Sequence, residues 1–215
     1  LQPLQARVME THSDGSVRWL LLDYQGDFTP FGTTRHLLTL HKKSPDAPKG
    51  RRIETIDEGS LLIVDNGVLR VEIDRARCLP LVRVWHNGSL VSEGGLDFWI
   101  TADNGQKFSA RNDVGAAFNV EESGPMRLLV SWKGTHRDKD GKRHFDFLVR
   151  MTIYANNPFI RVDHIFFNRL DPDVTKVKEV VTRFPIAVGK DLTYTVADIY
   201  RPPAMFTASG PVRLE

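Results

Sequence analysis

Hydrophobic residues alternate with polar ones in short runs along this chain, and most runs stop at Gly, Asn or Asp. Alternation with a period of two is the mark of a strand with one buried face. The first two runs are Gln5–Thr11 and Val17–Gln25, separated by Ser13-Asp14-Gly15-Ser16. Asp-Gly tolerates the positive φ of a tight hairpin turn, so the two runs predict a hairpin. Leu37–His41 predicts a further strand. The polar stretch Lys42–Arg52 follows, with two prolines and no periodicity. It reads as a domain boundary, the alternative being a long exposed loop within one domain.

After Arg52 the pattern restarts. Ser60–Val64 and Val68–Asp74 flank the turn Asp65-Asn66-Gly67. Leu81–Trp85 and Leu90–Ser92 flank His86-Asn87-Gly88-Ser89, and Asp97–Ala102 and Lys107–Ala110 flank Asp103-Asn104-Gly105. Longer strands are predicted at Ala116–Glu122, Met126–Thr135, Phe145–Tyr154 and Phe159–Asn168, then at Lys176–Pro185 and Leu192–Tyr200. In the run from Phe159 to Phe167, the positions Ile160, Val162, His164 and Phe166 share one face. The best helical window, Asp171–Val181, is rich in β-branched residues and carries Pro172, so no amphipathic helix is predicted. Many strands without helices between them predict an all-β, antiparallel sandwich or barrel.

Composition narrows the class. The chain has 215 residues, 41% hydrophobic and 26% charged, an ordinary globular balance. Its 29 basic and 27 acidic residues leave a net charge of +2, which gives no case for nucleic acid or an anionic membrane as partner. No apolar run approaches the ~20 residues of a membrane span. The single cysteine, Cys78, excludes an intrachain disulfide and reads as a small buried or half-exposed thiol. Residues 1–10 lack the basic start and apolar core of a signal peptide. The chain begins with Leu inside a predicted strand and stops without an obvious terminal element, so a processed chain, a trimmed one or a gene fragment is expected.

Recognised chemistry is scarce. There is no GxGxxG, no GxxxxGK[ST], no CxxC, no HExxH and no GxSxG. No metal site is predicted; Ca2+ is the one cofactor left open, and no ligand spacing supports it. His164 lies on an apolar strand face and reads as a core histidine. His136 and His144 flank the charged tip Arg137–Arg143, where they either meet across the hairpin to bind a sugar or metal or are solvated turn residues. Asp97, Trp99 and Thr101 share one strand face, opposite Phe98, Ile100 and Ala102. A Trp beside Asp and Thr suits a sugar, whose C–H face stacks on a flat ring, and equally suits an exposed cross-strand Trp. Trp85 is a second platform candidate, whereas Trp19 and Trp132 read as core. The acid pairs Glu121-Glu122, Asp138 with Asp140, and Asp171 with Asp173 all fit turns or solvated edges.

The segment Asp14-Gly15-Ser16-Val17-Arg18-Trp19-Leu20-Leu21-Leu22-Asp23-Tyr24-Gln25 resembles the hairpin near the start of the exo-rhamnogalacturonan lyase-like family, the PcRGLX/YetA-like proteins of polysaccharide lyase family 26. Asp65-Asn66-Gly67-Val68-Leu69-Arg70-Val71, Glu121 to Arg127 and Tyr154 to Val162 are similar to that family's central sandwich. The resemblance implies residues 1–55 as the end of an N-terminal β-barrel and 56–215 as a supersandwich-like β-sandwich, with a C-terminal α/α toroid missing. It implies a secreted or periplasmic parent enzyme acting on a pectic polysaccharide, with this stretch inactive by itself. The chemistry implied is β-elimination at a uronic acid: a base takes the proton α to the carboxylate, a cation neutralises that carboxylate, and an acid protonates the leaving oxygen. By residue type, His136, His144, Arg150 and Tyr154 are the catalytic candidates, and Trp99, Asp97 and Trp85 the substrate-binding ones. The competing expectations are a non-catalytic carbohydrate-binding or scaffolding sandwich and a glycoside hydrolase accessory domain.

Overall fold

The turn residues sit where the alternation requires them. Gly15, Gly67, Gly88, Gly105 and Gly141 all adopt positive φ at the tips of strand pairs, a conformation that L side chains rarely adopt. The computed structural model describes residues 4–26, 29–39, 52–168 and 176–186, with the backbone of two further strands at Leu192–Asp198 and Arg201–Ala208. The segment 41–51, which holds nearly all of the predicted boundary, and Asp171 and Asp173 lie outside the described residues.

The strands are β1 (Leu4–Thr11), β2 (Val17–Tyr24), β3 (Glu54–Glu58), β4 (Leu61–Asp65), β5 (Leu69–Asp74), β6 (Leu79–His86), β7 (Ser89–Glu93) and β8 (Asp97–Ala102). There follow β9 (Lys107–Ser109), β10 (Ala117–Ser123), β11 (Arg127–Arg137), β12 (Arg143–Tyr154), β13 (Ile160–Phe167), β14 (Val177–Arg183), β15 (Leu192–Asp198) and β16 (Arg201–Ala208). Among the described residues the only helical element is a single 3-10 turn at Ala110–Asn112, and no helix is long and apolar enough to cross a membrane. Two strands lie outside the predicted set. In β3 every residue is exposed, so burial left no alternation to read, and β16 carries Pro202 and Pro203, which argue against a strand. Leu37 and Leu38, predicted as a strand, are irregular and exposed, and no described strand pairs with them.

All pairings are antiparallel. β3 to β7 form a five-stranded meander in sequence order. A larger sheet runs β13-β12-β11-β9-β8-β14, with β10 also paired to β11. The long β11 uses two partners on one side: β10 along residues 128–133 and β9 at Arg137. The larger sheet is strongly curved, since His164 on β13 reaches Phe98 on β8 at a 4.8 Å ring separation although three strands lie between them in the order. The two sheets face each other across one core. Val64, Val71, Ile73 and Val84 from the meander meet Leu128, Val130, Trp132, Val149, Met151 and Ile153 from the larger sheet. This is a β-sandwich.

Polar ties lock the layers. Asn66, fully buried at the β4–β5 turn, donates to the carbonyls of Tyr154 (2.9 Å) and Asn157 (2.8 Å) and accepts from the Val68 and Leu69 N–H groups. Asn66→Ala strands those four groups, and equilibrium denaturation should show a loss of about 2 kcal/mol. The β1–β2 hairpin is pinned to the sandwich by Gln5, whose Oε1 accepts from the Met126 (3.0 Å) and Arg127 (2.8 Å) N–H groups. A Cβ at Gly124 would lie 2.3 Å from the Gln5 amide, so only glycine allows this approach. Arg127 adds ion pairs to Asp23 and Glu122.

Candidate functional site

Three turns come together at one end of the larger sheet. The β8–β9 turn brings Gln106 and Lys107, the 3-10 turn brings Arg111 and Asn112, and the β11–β12 tip brings Asp138, Lys139 and Asp140. They enclose an open cleft of about 500 Å3.

The carboxylates in this cleft have different standing. Asp138 is buried and held by three donors: its Oδ1 accepts from the N–H groups of Asp140 (2.9 Å) and Lys142 (2.8 Å), and its Oδ2 accepts from the Gln106 amide at 2.7 Å. Burial acts to raise the Asp138 carboxyl, but these hydrogen bonds outweigh it and hold it below the usual carboxylate range. Its role is to bind the β11–β12 tip to the β8–β9 turn. Asp97 is also buried; it accepts from Ser109 Oγ at 2.7 Å and pairs with Arg111 Nε at 3.3 Å. Asp140 is exposed and completes the acids.

The cations are freer. Arg111 is held by Asp97 and by the Gly94 carbonyl, which accepts from its Nη2 at 3.1 Å, yet its side chain is 38% exposed to the cleft. Lys107 Nζ lies 3.5 Å over the Trp99 ring, and Lys139 is exposed. Neither lysine has a carboxylate partner among the described residues. With most of the acceptor positions of Asp138 and part of those of Asp97 taken up by the fold, the hydrogen-bonding groups left for a ligand are mainly donors.

The predicted site residues scatter. His136 and His144 do not face each other. His136 is fully buried; its Nδ1 bonds the Phe145 carbonyl at 3.0 Å and its Nε2 meets His164 Nε2 at 3.1 Å. His144 is half-buried against Phe108, with ring centroids 4.5 Å apart. Burial lowers its pKa, and Lys142 lowers it further. Arg150 Nε donates to Glu121 at 3.0 Å, and Tyr154 ends β12 beside Arg127. At ~3.3 Å of rise per residue, His144 and Tyr154 stand roughly 33 Å apart along β12, too far for one sugar ring. Asp97 and Trp99 keep their expected common face, but Asp97 is turned into hydrogen bonds and the Lys107 ammonium covers one face of Trp99. Trp85 lies in the other sheet, with the Arg70 guanidinium 5.9 Å from its ring. Trp19, expected in the core, is 62% exposed, whereas Trp132 is fully buried. Cys78 is buried, and burial pushes its thiol well up, with Asp97 and Asp113 adding to the effect. No group of His, Cys, Asp and Glu among the described residues is arranged to hold a metal ion. Lys107, Arg111 and Lys139 escaped the sequence reading because nothing local shows which turns become neighbours.

Residues 56–194, more than half of the chain, match the family model of the PcRGLX-like protein central beta sandwich domain. The chain belongs to the PcRGLX-like family. No curated protein is significantly similar to it. Both sheets of the sandwich and the whole cleft fall within the matched PcRGLX-like segment, apart from the first two residues of β3.

Proposed function

We propose that this PcRGLX-like sandwich is part of a polysaccharide lyase that cleaves a rhamnogalacturonan-like, uronic-acid-containing chain by β-elimination. Family membership carries the reading. The open polar cleft supports it, since its cations suit an acidic sugar and its amides suit hydroxyls. In this reading residues 1–55 form the remainder of a small barrel, residues 56–215 form the sandwich, and the proton-transfer groups are completed by an α/α toroid of the parent enzyme. The dispersal of His136, His144, Arg150 and Tyr154 favours a second reading, a carbohydrate-binding sandwich without chemistry of its own.

Incubating the 215-residue chain and a longer gene product with rhamnogalacturonan, and following the absorbance of the unsaturated uronate product, separates the two. Product from the longer form alone is the expected result. Binding without product from either form would replace the lyase reading with the second.

A further inference from the structure

We infer that the cleft between the β8–β9 turn and the β11–β12 tip is a carboxylate-binding subsite, in which Arg111, flanked by Lys107 and Lys139, reads the acid group of a sugar and no residue transfers a proton. This rests on the carbohydrate reading above and names the groups that would distinguish an acidic sugar from a neutral one.

The balance of free donors and acceptors in the cleft carries the inference. Three acids and three bases line it, so its formal charge is balanced. The fold has committed most of the acceptor capacity of two of the acids, whereas Lys107, Lys139 and Arg111 Nη1 keep free donors. Asp138 uses both oxygens to accept from Asp140, Lys142 and Gln106, and Asp97 accepts from Ser109 and forms an ion pair with Arg111. Such carboxylates keep only part of their acceptor capacity for a ligand. They position cations instead. Asp97 and the Gly94 carbonyl fix the Arg111 guanidinium from two sides, which cuts the entropy cost of holding it against a ligand. Asp138 fixes the tip that carries Lys139. Trp99 holds the Lys107 ammonium at the rim through its ring face. A planar guanidinium held by its neighbours and flanked by two exposed ammonium groups suits a carboxylate. Gln106 and Asn112 are partly engaged, by Asp138 and by the Arg137 carbonyl, and so keep only part of their capacity for hydroxyls.

The test compares one ligand with and without its charge. Binding of an oligogalacturonate and of its carboxyl-reduced, neutral counterpart to the 215-residue chain is measured by calorimetry. The acidic oligomer should bind, the neutral one should bind at least about tenfold more weakly, and affinity should fall with added salt. Arg111→Gln should weaken acidic binding by about 10- to 100-fold, the weight of a hydrogen bond to a charged group. Arg111→Lys should restore part of the loss. Lys107→Gln/Lys139→Gln, altered only at exposed positions, should weaken binding without changing the melting temperature, so the inference survives a failure of the Arg111 variant to fold. Equal affinity for both oligomers, binding of neither, or full affinity in the double lysine variant overturns it. The lyase reading is judged separately, by product. Acidic binding without product from any form sinks that reading alone, and product formation unaffected by the three cation variants sinks this inference alone.

Discussion

Trp132→Ala will destabilise the sandwich by about 3–5 kcal/mol, the range for deleting a buried large aromatic. Trp132 sits fully buried on β11, in the layer between the sheets. Its Nε1 donates to the Asp74 carbonyl at 3.3 Å, a hydrogen bond from the larger sheet to the end of β5 in the meander. Its ring meets Phe118 edge-on at 5.2 Å, which ties β10 to the same point. The end of β5 and β10 therefore lose a common partner at once. Trp132→Phe separates the contributions: it keeps most of the packing and removes the donor, and should cost about 1–2 kcal/mol. Urea denaturation followed by circular dichroism measures both. A loss below 1 kcal/mol for the alanine variant would mean that the two sheets are not held together through this residue.

The second large effect is a loss of stability in mild acid, caused by the buried histidine pair. The Phe145 carbonyl can only accept, so His136 Nδ1 carries a proton, and its Nε2 is the acceptor for His164 Nε2–H. Around them are the rings of Phe98, Phe147 and Phe166, which offer a charged imidazole no hydrogen-bond acceptor. Burial, with the neighbouring His136, lowers the pKa of His164 from 6.5 to about 4. Burial also lowers that of His136, opposed by the Phe145 carbonyl and by Asp113, Asp146 and Asp97. The sign follows. Between pH 6.5 and about 4 the unfolded chain binds a proton at His164 that the native protein refuses. The stabilisation is thus complete above the unfolded value and drains away as pH falls toward the folded one. Because His164 is only half-buried, the full shift overstates the effect, and about 2 kcal/mol is expected. His164→Phe should flatten the pH dependence over this window relative to the parent, whereas carboxylate titrations are common to both. Imidazole resonances of His164 moving near pH 6.5 would contradict the buried pair.

The strands were largely legible. Met126–Thr135 and Phe145–Tyr154 agree with β11 and β12 to within two residues, because each buries one face and so writes its alternation into the chain. β3 was not legible, since an edge strand with both faces exposed has no pattern to show. His164 was correctly placed on the apolar face, but its partner was not foreseeable: His136 is 28 residues away and belongs to a strand that does not pair with β13. His136 itself was misjudged. It shares the inward face of β11 with Leu128, Val130 and Trp132 by simple alternation, but its place next to the charged tip Arg137–Arg143 made it read as a turn residue.

The hairpins and the family were within reach of the sequence alone, because alternation and turn chemistry are local and each hairpin closes on its own neighbour. The cleft was decided by tertiary structure. Which turns become neighbours depends on the curvature of the larger sheet and on side chains such as Asp138 that bind one tip to another. Which charges remain free depends on who has already claimed the carboxylates, and that count exists only once the chain has folded.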